Sequence, residues 1–191
     1  MNEYIVGIDL GGMSAKGALF SFDGAIICED KVETNAENGF EKTVESLARL
    51  TKRLSKKANI GFDEIKAIGV GSPGVVDSAN GIVLRWTNFG WNNVSLAGYL
   101  GELTGKKVAV ANDANVAALG EAYFGATAQY QSSILLTIGT GIGGGMVFDG
   151  KLIEGYKSAG AELGHITIRE VEFRVPVEER DAMKNTHLQV L

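Results

Sequence analysis

Two glycine-rich turns are the first features of this sequence that suggest chemistry. Gly11-Gly12 follows the apolar stretch 4–10, and the segment 139–145 follows the apolar stretch 133–138. Because glycine has no Cβ, backbone N–H groups in such turns can approach the oxygens of a phosphate. One turn of this kind serves equally well in any tight hairpin, whereas two at equivalent places favour a phosphate site. Neither turn matches the P-loop or the dinucleotide-binding pattern.

Two aspartates stand beside predicted strand ends. Asp9 adjoins the first glycine turn, where it can hold Mg²⁺, directly or through water, or cap the turn. Asp113, in the motif 112–115 (Asn-Asp-Ala-Asn), lies at a strand-to-helix junction. It can cap the helix, or it can lie at the carboxyl end of a strand, where α/β folds bind their ligands. The spacing leaves both alternatives open for each aspartate.

Five further residues have side chains that could bind a ligand or pack in the fold. Glu162 and His165, three residues apart, can bind hydroxyl groups or a metal, but a single histidine is more often structural. Met13 and Trp91 are predicted to pack in a core or at a binding surface. Cys28, the single cysteine, is predicted to be a small buried residue of a strand.

The elements that must position these residues follow from periodicity and turn signals. The last predicted helix opens at 112–113, with Val116, Leu119, Ala122 and Tyr123 on one face. The other predicted elements are strands at 4–10, 16–22, 25–28, 65–70, 108–110, 133–138 and 146–148, and helices at about 39–58 and from Ser95 to near Gly105.

One plan occurs twice in the chain: a strand, a glycine-rich turn, a second strand, and then Phe-Asp-Gly. The two Phe-Asp-Gly sequences are residues 22–24 and 148–150, and Asp-Gly is a hairpin signal. The duplication predicts two similar lobes that face one another, each beginning with an antiparallel meander.

Composition excludes several classes of protein. The chain has 191 residues, 45% of them hydrophobic, which is enough for a packed core. Its formal charge of −5 and its lack of a basic cluster argue against a nucleic-acid partner. Its apolar runs are too short for a membrane span, and no secretory leader is evident. A single cysteine rules out a disulfide framework, so we expect a cytoplasmic protein.

Five motifs together resemble the ROK family (repressor, open reading frame, kinase), whose enzymes are ATP-dependent sugar kinases. The resemblance covers residues 4–168. It implies an α/β fold of the actin-like, ribonuclease-H-like ATPase type. We expect a complete first lobe at 1–117, the start of a truncated second lobe at 118–170, and an aberrant tail at 171–191. In chain order the motifs are Ile8–Gly12, Gly71–Gly74, Asn112–Asn115, Gly139–Gly145 and Glu162–His165.

The resemblance also implies roles for individual residues. Asp113 is similar to the family's general base, and His165 to a ligand of its structural Zn²⁺. The implied sugar ligands are Gly74, Asn88, Asn112, Asp113, Glu162 and His165. The implied site for ATP with its Mg²⁺ comprises Asp9, Gly11, Gly12, Met13, Lys16, Gly139, Thr140, Gly141, Gly143 and Gly144.

The implied function is transfer of the terminal phosphate of ATP to a hexose, with glucose as the first choice. Another hexose or an N-acetylhexosamine is the alternative substrate. Because the chain starts at the first strand and not at a DNA-reading helix-turn-helix, we expect a kinase and not a repressor. The competing hypothesis is a remnant without catalytic activity, at most a sugar-binding or dimerising module, and a homodimer stays open.

Two departures from the family pattern matter. The family has Thr after Gly-Gly, where its hydroxyl faces the terminal phosphate, and here Met13 takes its place. The family also has C-x-C-G-x-x-G-C-x-E after Gly-His, with three zinc-binding cysteines, and about a hundred further residues. We therefore expect little kinase activity from these 191 residues and no zinc at His165.

The tail can be interpreted as that zinc motif in a shifted reading frame. All 26 glycines lie at or before Gly164. If residues 171–184 are re-read from the third base of each codon, the sequence G-I-P-C-P-C-G-R-A-G-C-Y-E is permitted. Its final Glu is forced by Met183-Lys184, whereas the other matches depend on codon choice. A divergent tail is the alternative; under the frameshift hypothesis these residues are predicted to be irregular.

Overall fold

The computed structural model describes residues 3–139, 141–158 and 160–166 of the chain. These residues form two compact units: unit 1 extends to Asp113, and unit 2 begins at Ala114. Thr140 and the predicted aberrant tail 171–191 lie outside the described residues, as does the side chain of Asn88. The predicted lobe boundaries stay a prediction.

Unit 1 alternates strands with two helices. In chain order its elements are β1 (Tyr4–Leu10), β2 (Ser14–Ser21), β3 (Ile26–Glu33), α1 (Phe40–Lys57), β4 (Ile65–Ser72), β5 (Val75–Asp77), β6 (Ile82–Trp86), β7 (Trp91–Val94), α2 (Leu96–Thr104) and β8 (Lys107–Asn112).

A five-stranded mixed sheet in the order β3-β2-β1-β4-β8 forms the frame of unit 1. β1, β2 and β3 pair antiparallel, which confirms the first predicted meander. β4 and β8 join β1 in parallel, so the carboxyl ends of these three strands share one edge of the sheet. That shared edge is where ligands bind in folds of this kind.

The core of unit 1 lies between this sheet and α1. Val6, Ile8 and Leu10 alternate along β1 and are buried on one face. Gly17 is opposite Ile8 in register, and a Cβ added there would lie 2.9 Å from Leu50 of α1. The glycine therefore lets the helix pack closely on the sheet.

A second, three-stranded sheet in the order β5-β6-β7 was not predicted from the sequence. Two short apolar runs, 75–76 and 82–84, flank Asn80-Gly81, which is a turn signal. Gly81 has a φ of 66°, as such a turn requires. The signal was therefore present, but the strands are too short to show a period.

Unit 2 contains the second meander. Its elements are α3 (Asp113–Phe124), which starts at the boundary, β9 (Ser133–Ile138), β10 (Ile142–Phe148) and β11 (Lys151–Leu152). The three strands pair antiparallel in the order β11-β10-β9, as predicted. Asp149 and Gly150 both have positive φ, 47° and 72°, which matches a two-residue Asp-Gly hairpin.

The buried face of α3 is not the face that carries its larger apolar residues. The helix buries Ala114, Asn115 and Ala118, whereas Tyr123 is 60% exposed. The reason is the partner strand: a Cβ added at Gly145 would lie 2.5 Å from the Ala118 Cβ. Small residues on the helix and glycines on β10 bring the two backbones together, and large apolar residues would hold them apart.

One face of β9 carries uncovered apolar side chains. Ile134, Leu136 and Ile138 alternate along the strand and are 61%, 48% and 73% exposed. In the described part of unit 2, β9 also forms an edge of its sheet. None of the helices that the structure describes is long and apolar enough to cross a membrane.

Candidate functional site

The candidate site lies at the carboxyl edge of the three parallel strands of unit 1. Asp9 of β1 is in register with Gly71 of β4, which is in register with Ala111 of β8. Neighbouring strands are about 4.8 Å apart, so Asp9 and the end of β8, which are two strands apart, are separated by about 10 Å in total. The glycine turn after β1, the loop after β4 and the start of α3 after β8 all begin at this edge.

The loop after β4 is fixed to the end of β8 by a hydrogen bond. The Asn112 Nδ2 donates to the Gly74 carbonyl oxygen at 3.0 Å. Gly74 has a φ of 85°, and a Cβ there would lie 2.2 Å from the Arg85 carbonyl oxygen. Only glycine fits this position. Two of the predicted sugar ligands are thus in contact, and one positions the other.

Asp113 follows Asn112 and is the first residue of α3, where it is half-buried. Its carboxylate therefore lies both at a strand carboxyl end and in the first turn of a helix. A negative charge is favoured in a first turn because the unpaired N–H groups there carry partial positive charge. Both interpretations of Asp113 made from the sequence are compatible with this position.

The turn at Gly11–Met13 is held by its carbonyl groups. The Thr34 hydroxyl donates to the Gly11 carbonyl oxygen at 2.7 Å, and the Thr34 N–H donates to the Met13 carbonyl oxygen at 3.1 Å. Thr34 itself is fully buried. Within the described residues, the N–H groups of Gly12 and Met13 have no acceptor. The turn therefore presents donors that an anion can accept.

Asp9 does not cap this turn. In the described part of the chain its carboxylate accepts no hydrogen bond and forms no ion pair. Asp9 is exposed and directly opposite Lys16, so both side chains lie on the same face of the sheet. An exposed carboxylate and an exposed ammonium beside free N–H groups are the groups expected to hold Mg²⁺ and a phosphate.

In unit 2 the second glycine segment divides into two parts. Gly139 and Gly141 lie in the turn between β9 and β10, and a Cβ at Gly139 would meet no described atom within 4 Å. Gly143 and Gly144 lie inside β10, where added Cβ atoms would lie 2.6 Å from the Thr137 hydroxyl and 2.8 Å from the Leu163 Cδ1. Close packing therefore requires glycine at these two positions of the strand, whether or not a ligand contacts them.

Glu162 precedes a short 3₁₀ helix, Leu163–His165, which packs on β10 and ends with His165. A Cβ at Gly164 would lie 2.2 Å from the Ile142 carbonyl oxygen, so this segment is close to the turn that precedes β10. Glu162 Oε2 is 3.8 Å from His165 Nε2, and both side chains are exposed. Among the described residues no three His, Cys, Asp or Glu side chains form a metal-binding group.

Two groups with shifted pKa values lie away from this edge of the sheet. Hydrogen bonding from the Ser21 hydroxyl lowers the pKa of the exposed Asp23 carboxyl in the β2–β3 turn. Burial raises the pKa of the Cys28 thiol, whose Sγ donates to the Leu54 carbonyl oxygen at 3.6 Å. Cys28 lies half-buried in β3, in the strand where it was predicted.

Sequence reasoning missed two residues of this region. Thr34 holds the glycine turn, and the Phe89 ring lies against Gly12, 3.4 Å from where a Cβ would be. Neither residue stands in a motif or a periodic pattern. Only the fold brings them to the turn, because both are distant from Gly12 along the chain.

The α/β architecture with its mixed sheet is of the actin-like ATPase fold, and comparison with known proteins identifies the family. The model of the ROK family matches residues 5–181. The chain belongs to the ROK family, which confirms the resemblance and the expected fold. The crystal structure of a ROK family glucokinase from Streptomyces griseus, in complex with glucose and AMPPNP, superimposes with a TM-score of 0.77 at 32% identity, over 87% of this chain and 51% of that one.

Two curated relatives show the range within the family. A glucokinase of Thermotoga maritima is 42% identical over 165 residues, which are 86% of this chain and 50% of the relative. A xylose repressor of Caldicellulosiruptor bescii is 35% identical over 86% of this chain and 41% of the relative. The chain thus spans about half the length of the curated relatives it matches, and its relatives include both kinases and repressors.

Proposed function

We propose that this chain carries the sugar- and phosphate-binding half of an ATP-dependent hexose kinase, with glucose as the preferred substrate. One observation supports this most strongly: Asp9, the Gly11–Met13 turn, Gly74 and the Asn112-Asp113 pair begin at one edge of one sheet. Phosphoryl transfer to a sugar needs a base, amide and carbonyl groups that bind the sugar hydroxyls, and backbone donors that bind phosphate.

In the proposed reaction, Asp113 removes the proton from a sugar hydroxyl. That oxygen forms a bond to the terminal phosphorus of ATP as the bond from this phosphorus to the bridging oxygen breaks. The products are a sugar phosphate and ADP, and the proton stays on the Asp113 carboxyl. Asn112 and Gly74, already joined by a hydrogen bond, would orient the sugar. Positioning and charge neutralisation supply most of the rate enhancement in such reactions.

The described residues fit Mg²⁺ and phosphate. Asp9 offers an exposed carboxylate, and Gly12 and Met13 offer N–H groups without acceptors. Mg²⁺, when bound, would neutralise charge on the phosphate oxygens. Lys16, exposed on the same face as Asp9, adds a positive charge there. We further propose that Asn88, Glu162 and His165 serve the sugar, and that Gly139, Thr140, Gly141, Gly143 and Gly144 serve ATP.

The second candidate function is sugar binding without phosphoryl transfer. Met13 is the observation that favours it, because a thioether 90% exposed at the turn replaces the hydroxyl implied by the resemblance. A transcriptional role like that of the xylose repressor would use the same sugar ligands. A cytoplasmic location, a homodimer and the absence of nucleic-acid binding stay predictions from the sequence.

Calorimetric titration with glucose and with MgATP tests the proposal. A kinase half should bind both, and an assay for ADP release over glucose, other hexoses and N-acetylhexosamines should rank glucose first. Binding of glucose alone, without ADP release, supports the second candidate. If the chain binds no sugar in this panel, both candidates fail.

A further inference from the structure

The Phe89 ring connects two parts of the proposed site. A Cβ added at Gly12 would lie 3.4 Å from both Cε2 and Cζ of Phe89, so the ring covers the glycine turn from the side. With Thr34 on the carbonyl groups, the turn is thus held from two directions. Among the described residues, the Gly12 and Met13 N–H groups have no acceptor.

Phe89 is itself held by a row of aromatic rings, each edge-to-face with the next. The ring centroids of Phe89 and Trp86 are 4.4 Å apart, and those of Trp86 and Trp91 are 4.9 Å apart. Phe40 of α1 continues the row and Tyr99 of α2 ends it, at 4.9 and 5.1 Å. Both tryptophans are buried. Edge-to-face contacts of this kind restrict ring orientation, so Phe89 has little freedom to turn.

Phe89 also belongs to the segment that carries Asn88. Both residues lie in the 3₁₀ helix Thr87–Phe89, which ends at Gly90 in the left-handed region and is closed by the Gly90 N–H donating to the Thr87 carbonyl oxygen at 3.2 Å. A shift of the backbone at residue 88 must therefore move the ring that lies on Gly12. Among the described atoms, only those of the Phe89 ring lie within 4 Å of a Cβ placed at Gly12.

We propose that Phe89 is a positioning residue that couples the sugar-side segment 87–89 to the phosphate turn Gly11–Met13. The proposal rests on the proposed function for the identity of the two ligands. Sugar binding at Asn88 would fix the position of the ring, and the ring would fix the turn, so that the turn binds phosphate more tightly when sugar is present.

The physical link is tested by ¹H–¹⁵N NMR spectra of the full chain. Removing the ring in Phe89→Leu should shift the Gly12 and Met13 amide signals, because a ring current acts on nearby protons. Tyr99→Leu is the matched control: it removes the ring at the far end of the row and should leave those two signals in place. Phe89→Met repeats the test if the leucine variant does not fold. If Gly12 and Met13 signals do not move in the folded Phe89 variant, the proposal is overturned, whatever the chain binds.

The coupling is tested by titrating AMPPNP with Mg²⁺ in the absence and presence of saturating glucose. The unaltered chain should bind the nucleotide about fivefold more tightly with glucose present, within the usual range of coupling between sites. In Phe89→Leu the ratio of the nucleotide dissociation constants without and with glucose should fall to about one. In Tyr99→Leu this ratio should stay at about five. A ratio unchanged in Phe89→Leu overturns the inference and leaves the proposed function standing. Failure of the unaltered chain to bind either ligand overturns the proposed function, while the NMR shifts still decide the role of the ring.

Discussion

At the scale of single residues, the site depends on side chains that hold backbone groups in place. Thr34 donates hydrogen bonds to two carbonyl oxygens of the glycine turn, and Asn112 donates one to the carbonyl oxygen of Gly74. In both cases the carbonyl oxygens of a loop already accept hydrogen bonds from the protein itself. Donors at Gly12 and Met13 are left for a ligand, which is the polarity that an anionic substrate requires.

The role of Asp113 can be tested by one oxygen-to-nitrogen exchange. Asp113→Asn keeps the size of the side chain and its ability to hydrogen-bond a sugar hydroxyl, but it cannot accept a proton. We expect turnover to fall about 10²–10⁴-fold while glucose affinity is retained. Steady-state ADP release and calorimetry measure the two effects, in this chain or, if its turnover is too low, in a full-length kinase of the family.

The matched control for this variant is Asp63→Asn, which changes an exposed carboxylate just before the amino end of β4, at the opposite edge of the sheet. It should leave both quantities unchanged. Retained turnover in Asp113→Asn would remove Asp113 from the role of base.

We predict that Met13 weakens nucleotide binding, because its side chain has no hydroxyl group to donate a hydrogen bond. Met13→Thr should tighten MgATP binding about fivefold, which corresponds to one hydrogen bond of about 1 kcal/mol. Since Met13 is 90% exposed, the substitution should cost no stability. Met13→Val, which has the same branching and no hydroxyl, is the control and should bind MgATP as the unaltered chain does. Equal affinities for the threonine and valine variants would contradict the prediction.

Much of this residue-scale picture could be predicted, and the limits have a physical cause. Asp9, Gly74 and Asn112 were singled out because their types and places beside strand ends are visible in the sequence. Phe89 and Thr34 were not, because their importance comes from contacts across the fold. The turn-capping alternative for Asp9 was decided only by the absence of a hydrogen bond in the described structure.

At the scale of elements, close packing of β10 requires its glycines. Gly143 and Gly145 face α3, and Gly144 faces the Leu163–His165 turn. A strand with side chains at these positions would push the helix and the turn away. The run of three glycines is thus consistent with a strand packed closely on both faces.

A pair of glycine-to-alanine variants separates packing from binding. Gly145→Ala places a Cβ 2.5 Å from the Ala118 Cβ and 2.8 Å from the Ala114 carbonyl oxygen, so we expect a loss of about 1–3 kcal/mol in the free energy of unfolding. The new Cβ of Gly139→Ala meets none of the described atoms within 4 Å, so this variant should change stability by less than about 0.5 kcal/mol. Denaturant unfolding followed by circular dichroism measures both.

The same pair tests the phosphate role of the turn. Gly139→Ala should weaken MgATP binding if the turn contacts phosphate, because its new Cβ lies where a ligand would approach. If Gly145→Ala proves as stable as the unaltered chain, the packing account of β10 is wrong.

Element prediction was accurate where a period was long and failed where packing overrode it. β9 was predicted with its observed bounds, and α1 to within one residue at each end. The buried residues of α3 could not be predicted from the apolar period, because size, and not hydrophobicity, selects the residues that face a glycine strand. The segment 143–145 was assigned to a loop for the same reason: glycine runs are typical of loops, yet here they lie in β10.

At the scale of the whole molecule, the uncovered face of β9 should govern behaviour in solution. An apolar row on an edge strand binds hydrophobic dyes and favours self-association. Replacing Ile134 and Ile138 together by lysine should lower dye fluorescence and reduce association, while thermal stability stays the same because both side chains are exposed. Fluorescence with an anilinonaphthalene dye and light scattering measure these changes.

A single exposed leucine on α2 provides the comparison for this surface. Leu103→Lys introduces the same charge at a side chain of unit 1 that is 46% exposed. It should leave dye binding nearly unchanged. A decrease equal to that of the β9 variant would show that added charge, and not the β9 face, governs association.

The interpretation of residues 171–191 as a shifted frame remains a prediction. It concerns residues outside the described structure, and the family match reaches residue 181, well into this segment. The gene sequence provides the measurement: the codons of Arg174, Pro176 and Asp181 should each end in T, so that the shifted frame contains three cysteines. A different base at any one of these places would refute the interpretation.

The two tryptophans of the aromatic row determine which part of the protein tryptophan fluorescence follows. Trp86 and Trp91 are the two tryptophans of the sequence, and both lie in unit 1. Tryptophan emission during heating therefore follows the melting of unit 1, whereas circular dichroism follows the backbone of both units. If the two transitions coincide, the units melt together. If they separate, the difference between them is the thermal transition of the second meander.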